Sequence, residues 1–191
     1  MLTGEKLPTI EASRVRLRHI EESDTDSLFE IFSDEKALRF WSWPPYKERA
    51  EAEKLLAEIH DSFRQKTLFQ WGIARKSDDK VIGTSTLFRL DERSRRAEIG
   101  YILNRRCWGN GYVNEALTAL VGFAFEKMKL HRLEADIDPR NSASIKVVER
   151  LGFQKEGLLR ERWIVGGEIQ DTLFYGFLES DWQKSKGVKY D

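Results

Sequence analysis

Between a short alternating stretch and a long apolar stripe, the chain carries Arg105-Arg106-Cys107-Trp108-Gly109-Asn110-Gly111-Tyr112. This segment fixes what can surround it. Before it, Ile99, Tyr101 and Leu103 alternate with Glu98, Gly100 and Ile102, which is the period of a strand. After it, Val113, Leu117, Leu120, Val121, Ala124, Phe125 and Met128 share one stripe, which predicts a well-buried helix over 110–128. Leu133, Ala135 and Ile137 then predict another strand. A strand, helix, strand order from 97 to 137 is a crossover unit, so its strands run parallel with the helix against the sheet. The two glycines permit torsions that other residues resist, and the first turn of the helix offers unpaired N–H groups at the positive end of its dipole. Such a turn binds phosphate.

The remaining pattern builds a sheet around this unit. Val15 and Leu17 alternate with arginines from Arg14 to His19, and the cluster from Ser23 to Asp26 is placed to cap a helix running to about Phe32. Trp41, Trp43, Pro44, Pro45 and Tyr46 break the periodicity before Ala52, Leu55, Leu56, Ile59 and Phe63 fall on one helical face. Phe69, Trp71 and Ile73 alternate as a strand, and the turn from Ser77 to Lys80 leads into Val81 to Leu90, which predicts an antiparallel hairpin. A second helix, from Ser142 to Leu151, ends at Gly152, and two last strands flank Gly166-Gly167. No internal repeat or linker interrupts the pattern, so one domain over 1–191 and an α/β architecture with a mixed sheet are expected.

Composition removes several classes of function. The 32 basic and 32 acidic side chains cancel, so no chain-wide field draws in nucleic acid or an anionic membrane. The longest apolar stretch, Ala116 to Phe125, is far short of the roughly 18 to 20 residues of a bilayer span, and the first 30 residues carry charge throughout. Cys107 is the only cysteine, which excludes an internal disulfide and fits a reducing, cytoplasmic setting. His19, His60 and His131 lack metal-ligand spacing, so no metal is expected.

Three phosphate-binding readings compete for the glycine turn. A P-loop requires Gly-Lys-Ser/Thr, which is missing, and a dinucleotide fingerprint requires a third glycine where Asn114 stands, although Glu134 mimics its ribose-binding acid. An ordinary glycine turn opening a core helix, with no phosphate bound, is the bland alternative. Beyond these, Arg106-x-x-Gly109-x-Gly111 after a strand resembles the pyrophosphate loop of the GNAT superfamily of N-acetyltransferases. About thirty residues on, Asn141-x-x-Ser144-Ile145 and Glu149-Arg150-x-Gly152-Phe153 resemble its second cofactor segment in register. Glu98-Ile99-Gly100-Tyr101, Trp108-Gly109-x-Gly111-Tyr112 and Asn141-x-x-Ser144 are similar to the RimJ/RimL-type branch. Its best-known members acetylate N-termini of ribosomal proteins, and other members act on free amino acids, polyamines and antibiotics. The likeness runs from Arg14 to about Trp182.

The resemblance implies a fold of the α+β type: a mixed, mostly antiparallel central sheet flanked by helices, with a parallel strand pair splayed at the cofactor site. It implies an acetyl-CoA-dependent N-acetyltransferase, a monomer or a homodimer, in which a primary amine of a protein N-terminus or a small molecule attacks directly in a ternary complex. By the same likeness, the backbone of Ile102, Leu103 and Asn104 holds the pantetheine arm. Amides of Arg106, Cys107, Trp108, Gly109, Asn110, Gly111 and Tyr112 hold the pyrophosphate, and Asn141 and Ser144 meet the cofactor arm.

Attack on a thioester requires a neutral amine, so a proton must leave, an oxyanion must be stabilised and a thiolate must depart. An α-amine near pKa 8 is roughly a tenth neutral at pH 7, whereas a lysine near 10.4 is almost wholly charged. Glu98 is the expected base, acting through water; an ion pair with Arg95, Arg96 or Arg105 is the competing reading. A backbone N–H near Leu103 is expected to meet the oxyanion. Many GNAT enzymes carry a tyrosine acid seven residues after the asparagine, where this chain has Val148. That departure shifts the expected acid to Ser144, for which helix capping or a bond to the pantetheine competes. It also leaves open a catalytically silent acyl-CoA sensor on the same fold. Cys107 lacks a histidine partner and is expected to be a bystander. Trp41, Trp43 and Tyr46 are expected to wall the amine pocket, with Arg160, Trp163 or Asp171 contributing, against the competing reading of core aromatics.

Overall fold

The structure, a computed structural model, describes residues 2 and 4–187. Eight strands form one sheet in the order β1-β2-β3-β4-β5-β6-β8-β7. They are β1 (Ile10–Glu11), β2 (Val15–Arg18), β3 (Leu68–Arg75), β4 (Val81–Asp91), β5 (Arg96–Leu103), β6 (Arg132–Ile137), β7 (Gln154–Val165) and β8 (Glu168–Leu178). Every pairing is antiparallel except β5 with β6, which stay in register for only three residues, Arg96↔Arg132 to Glu98↔Glu134. Past Glu98 the two strands part, and the gap between them positions the site.

All but the last of the helices form where the sequence predicts them. They are α1 (Thr25–Phe32), α2 (Arg49–Gln65), α3 (Tyr112–Glu126), α4 (Ser142–Leu151) and α5 (Glu179–Gly187). A 3-10 turn, Glu22–Asp24, precedes α1, and its capping box uses Glu21 with Asp24, a member of the 23–26 cluster. Glu48 and Glu51 box the start of α2, which buries Ala52, Leu55, Leu56, Ile59 and Phe63. On one face of the sheet α3 buries Ala116, Leu117, Leu120 and Ala124 against Leu17, Trp71, Leu87 and Leu133. Each buried leucine among them contributes roughly 1.5 to 3 kcal/mol. On the other face α1 and α2 cover a smaller core that includes Ile20, Ala74, Val81 and Ile102. Helix α5 was not expected from the sequence. It is secured by Trp182, whose ring lies 5.5 Å from that of Phe125, and an exposed helix with one buried anchor leaves no periodic signal.

Candidate active site

The parting of β5 and β6 opens a cleft of about 990 Å³, walled by the loop after α1, by β5, by the glycine turn and α3, by β6 and by the start of α4. At one end lies the turn that the sequence singled out. Arg105–Cys107 form a single 3-10 turn capped by the Asn104 side chain, which accepts from the Arg106 N–H at 3.0 Å. Gly109 and Gly111 have φ of +76° and +79°, where a side chain is strained. A Cβ on Gly109 would meet no atom within 4 Å, and Gly111 gives α3 a start that no side chain caps. Its first-turn amides therefore lack side-chain acceptors. An extended anion fits these features. Arg106 and Arg105 tie the turn to α1 and the residues after it through Glu30 at 3.0 Å and Asp34 at 2.7 Å.

Along the strand, backbone polarity alternates. The Asn104 N–H donates to the Ile82 carbonyl at 2.8 Å, and the Ile102 carbonyl crowds Gly83 so closely that any Cβ there would collide with it. Ile102 and Asn104 thus spend these groups on β4, which turns those of Tyr101 and Leu103 toward the gap. The Leu103 carbonyl accepts from Trp108 Nε1 at 2.9 Å. Of the segment 102–104, the Leu103 N–H is accordingly the group presented to an occupant. Across the gap, Asn141 Oδ1 accepts from the Ser144 N–H at 3.1 Å, capping α4, while its amide N–H groups remain free to donate.

Tyr101 spans the two walls. Its hydroxyl donates to the Ser144 carbonyl at 3.3 Å, and burial pushes its pKa up to about 12, so it is a neutral donor at physiological pH. Val148 is fully buried in the larger core. Burial likewise pushes the Cys107 thiol up, which disfavours the thiolate a nucleophile requires.

Glu98 is 5% exposed and stands behind the cleft wall rather than in it. Burial raises its pKa, against the hydrogen bond from Arg89, with the charges of Asp136 and Glu134 adding to the rise. Its partner is Arg89, at 2.7 Å, and not Arg95, Arg96 or Arg105. The reason is a β-bulge after Phe88 that places Arg89 at φ +49° and swings it back over the face on which Glu98 lies. Of the loop aromatics, Trp41 lines the cleft, its indole N–H buried without a partner. Trp43 and Tyr46 instead stack on Phe32, at 6.4 and 5.6 Å. Trp163 donates to both carboxylate oxygens of Asp136 at 3.1 Å, and Asp171 accepts from the Glu161 N–H. Among the cleft residues that sequence reasoning did not assign to the site are Phe40, Tyr101 and Asp136. Tyr101 was legible as a cleft-facing position on an alternating strand; Asp136 owes its place to β8 being inserted between β6 and β7.

Comparison with known proteins places this geometry. The sequence profile described as "Acetyltransferase (GNAT) domain" matches residues 14–154. The N-acetyltransferase p20 of Bacillus licheniformis, itself uncharacterised, is 33% identical over 176 residues, spanning 92% of this chain and 99% of that protein. The [Ribosomal protein uS5]-alanine N-acetyltransferase of Escherichia coli is 23% identical over 88% of this chain and 90% of its own length. Among solved structures, the ribosomal L7/L12 α-N-protein acetyltransferase RimL in complex with coenzyme A superposes with a TM-score of 0.82. It is 22% identical and covers 90% of this chain and 98% of its own.

Proposed function

Because the chain belongs to the GNAT family of acetyltransferases, we propose that it moves the acetyl group of acetyl-CoA to a primary amine by direct attack in a ternary complex. The amine is that of a protein N-terminus, as in the E. coli relative, or of a small molecule. One observation carries the reading: the uncapped, glycine-opened start of α3 and the gap between β5 and β6 belong to one continuous cleft. Bound there, acetyl-CoA supplies an activated acyl carbon, so that the N–C bond forms as the C–S bond breaks and sulfur leaves with the electron pair.

The chain's own groups then have distinct tasks. First-turn amides of α3 hold the diphosphate, the Leu103 N–H and Asn141 amide hold the extended arm, and a strand N–H facing the gap stabilises the developing oxyanion. Glu98 takes the amine's proton through a water, since it does not reach the cleft itself; its raised pKa brings it nearer the amine it serves. For the departing sulfur a hydrogen bond matters more than a full proton, because a thiol near pKa 8.5 leaves readily as the thiolate. The Ser144 hydroxyl is the donor, and the Tyr101 phenol, whose one O–H donates to the Ser144 carbonyl, holds that residue in place. A thiol-release assay with acetyl-CoA and a panel of amines tests the reading, the panel comprising alanine- and serine-initiated peptides, spermidine and an aminoglycoside. Turnover on at least one is expected. Coenzyme A binding with no turnover on any would favour a silent acyl-CoA sensor.

A further inference from the structure

On the sheet face that bears α1 and α2, those helices pack on β4 and β3, and alternation sends Glu98, Glu134 and Asp136 to that same face. Charges there are matched almost completely. Arg89 pairs with Glu98, Arg96 with Glu134 at 2.8 Å, and Arg132 with both Glu134 and Glu156. At the end of β6, Arg140 pairs with Asp138 and Glu168. Asp136 differs from all of these. Among the described residues no cation lies within ion-pairing distance of it; its partners are the neutral Trp163 indole N–H, at 3.1 Å to each oxygen, and the buried Thr172 hydroxyl. It also lines the cleft, as Glu98 does not.

We propose that Asp136 is the anchor for the acceptor's ammonium group, making this chain selective for acceptors that arrive as primary alkylammonium ions. The inference rests on the acetyl-transfer reading above. A carboxylate offers about four acceptor positions, and two donors, the Trp163 N–H shared between both oxygens and the Thr172 hydroxyl, aim this one while leaving room for a charged donor. Its place is apt, two residues past the last β5–β6 pair, where the strands have just parted. A nitrogen held there stands beside the splayed edge of β5 and on the same face as Glu98, to which its proton passes through water. Trp163 and Thr172 are positioning residues, since they reach the acceptor only through Asp136.

Paired probes of one shape and two charges test this: ethylamine, a cation at about pH 8, and the weakly basic trifluoroethylamine, which is neutral there. The Trp163 indole N–H signal in a 1H–15N spectrum, assigned by its loss in Trp163→Phe, is expected to shift with ethylamine and to stay with trifluoroethylamine when coenzyme A is present. In Asp136→Asn it should respond to neither. With a peptide acceptor, Asp136→Asn should raise the amine KM about tenfold or more, change kcat less than about threefold and leave the acetyl-CoA KM alone. Asp136→Ser serves the same purpose should the asparagine variant fold poorly. Equal responses to the two probes, or an unchanged amine KM in a folded variant, would overturn the anchor while leaving acetyl transfer standing. Absence of turnover by the wild-type protein across the amine panel would overturn both.

Discussion

The two ends of the cleft are made differently. At the turn from 105 to 112 the recognition surface is main chain: consecutive amides, two glycines at positive φ and one helix start, all from a single run of sequence. At the other end it is side chain, gathered from the loop after α1, from β6, and through Trp163 and Thr172 from β7 and β8. A main-chain site tolerates change in most of its side chains but not in its glycines. A side-chain site can be retuned one residue at a time, which suits the end that must tell one amine from another.

The largest expected effect breaks the main-chain end alone. Gly111→Val forces a β-branched residue to φ +79° and brings its Cβ within 3.4 Å of the Arg14 guanidinium. Strain of roughly 1 to 2 kcal/mol is expected, together with about a hundredfold weaker coenzyme A binding by calorimetry. Next comes Glu98→Gln, which should lower kcat about a hundredfold. Because burial raises the pKa of Glu98, the wild-type rate should climb with pH through a midpoint above the usual carboxylate value near 4.5, and the variant should lose that limb.

Much of this contrast explains what could be read from the chain beforehand. The glycine turn, the crossover helix and the parallel pair were legible because each is written locally, in a period or in a glycine placed after a strand. Tyr101 and Asp136 were not assigned because their roles depend on partners distant in sequence, Ser144 in one case and Trp163 with Thr172 in the other. The ion-pair partner of Glu98 escaped for a related reason: a bulge re-aims Arg89, and bulges leave no periodic trace. Trp41, Trp43 and Tyr46 look alike in sequence and all three pack on Phe32, Trp41 edge-on and the other two stacked, so only the folded loop shows that Trp41 alone of them lines the cleft.

Smaller effects sharpen the comparison. Tyr101→Phe removes the bond that fixes the Ser144 carbonyl and should lower kcat about three- to tenfold with little change in either KM. Trp41→Ala should raise the amine KM several-fold, whereas Trp43→Ala should leave it within about twofold, both read from initial rates. Smallest, and outside the cleft, is His19, stacked on His60 at 4.8 Å, with Nδ1 accepting from the Leu7 N–H. Burial lowers its pKa below 6.5, so the unfolded chain binds the proton more readily. Its share of stability is complete above that value and is lost as pH falls below it, and His19→Gln should flatten the melting temperature over that range.

The three-rung contact between β5 and β6 has a mechanical consequence. Within the sheet, the slab made by β1 to β5 and the slab made by β6, β8 and β7 are stitched only at one end, with unspent main-chain groups along the open seam. An elongated molecule lying there would act as a temporary strand and close the seam. Amide exchange should slow on both slabs together when coenzyme A is added, so that the protein is stiffest when it is loaded.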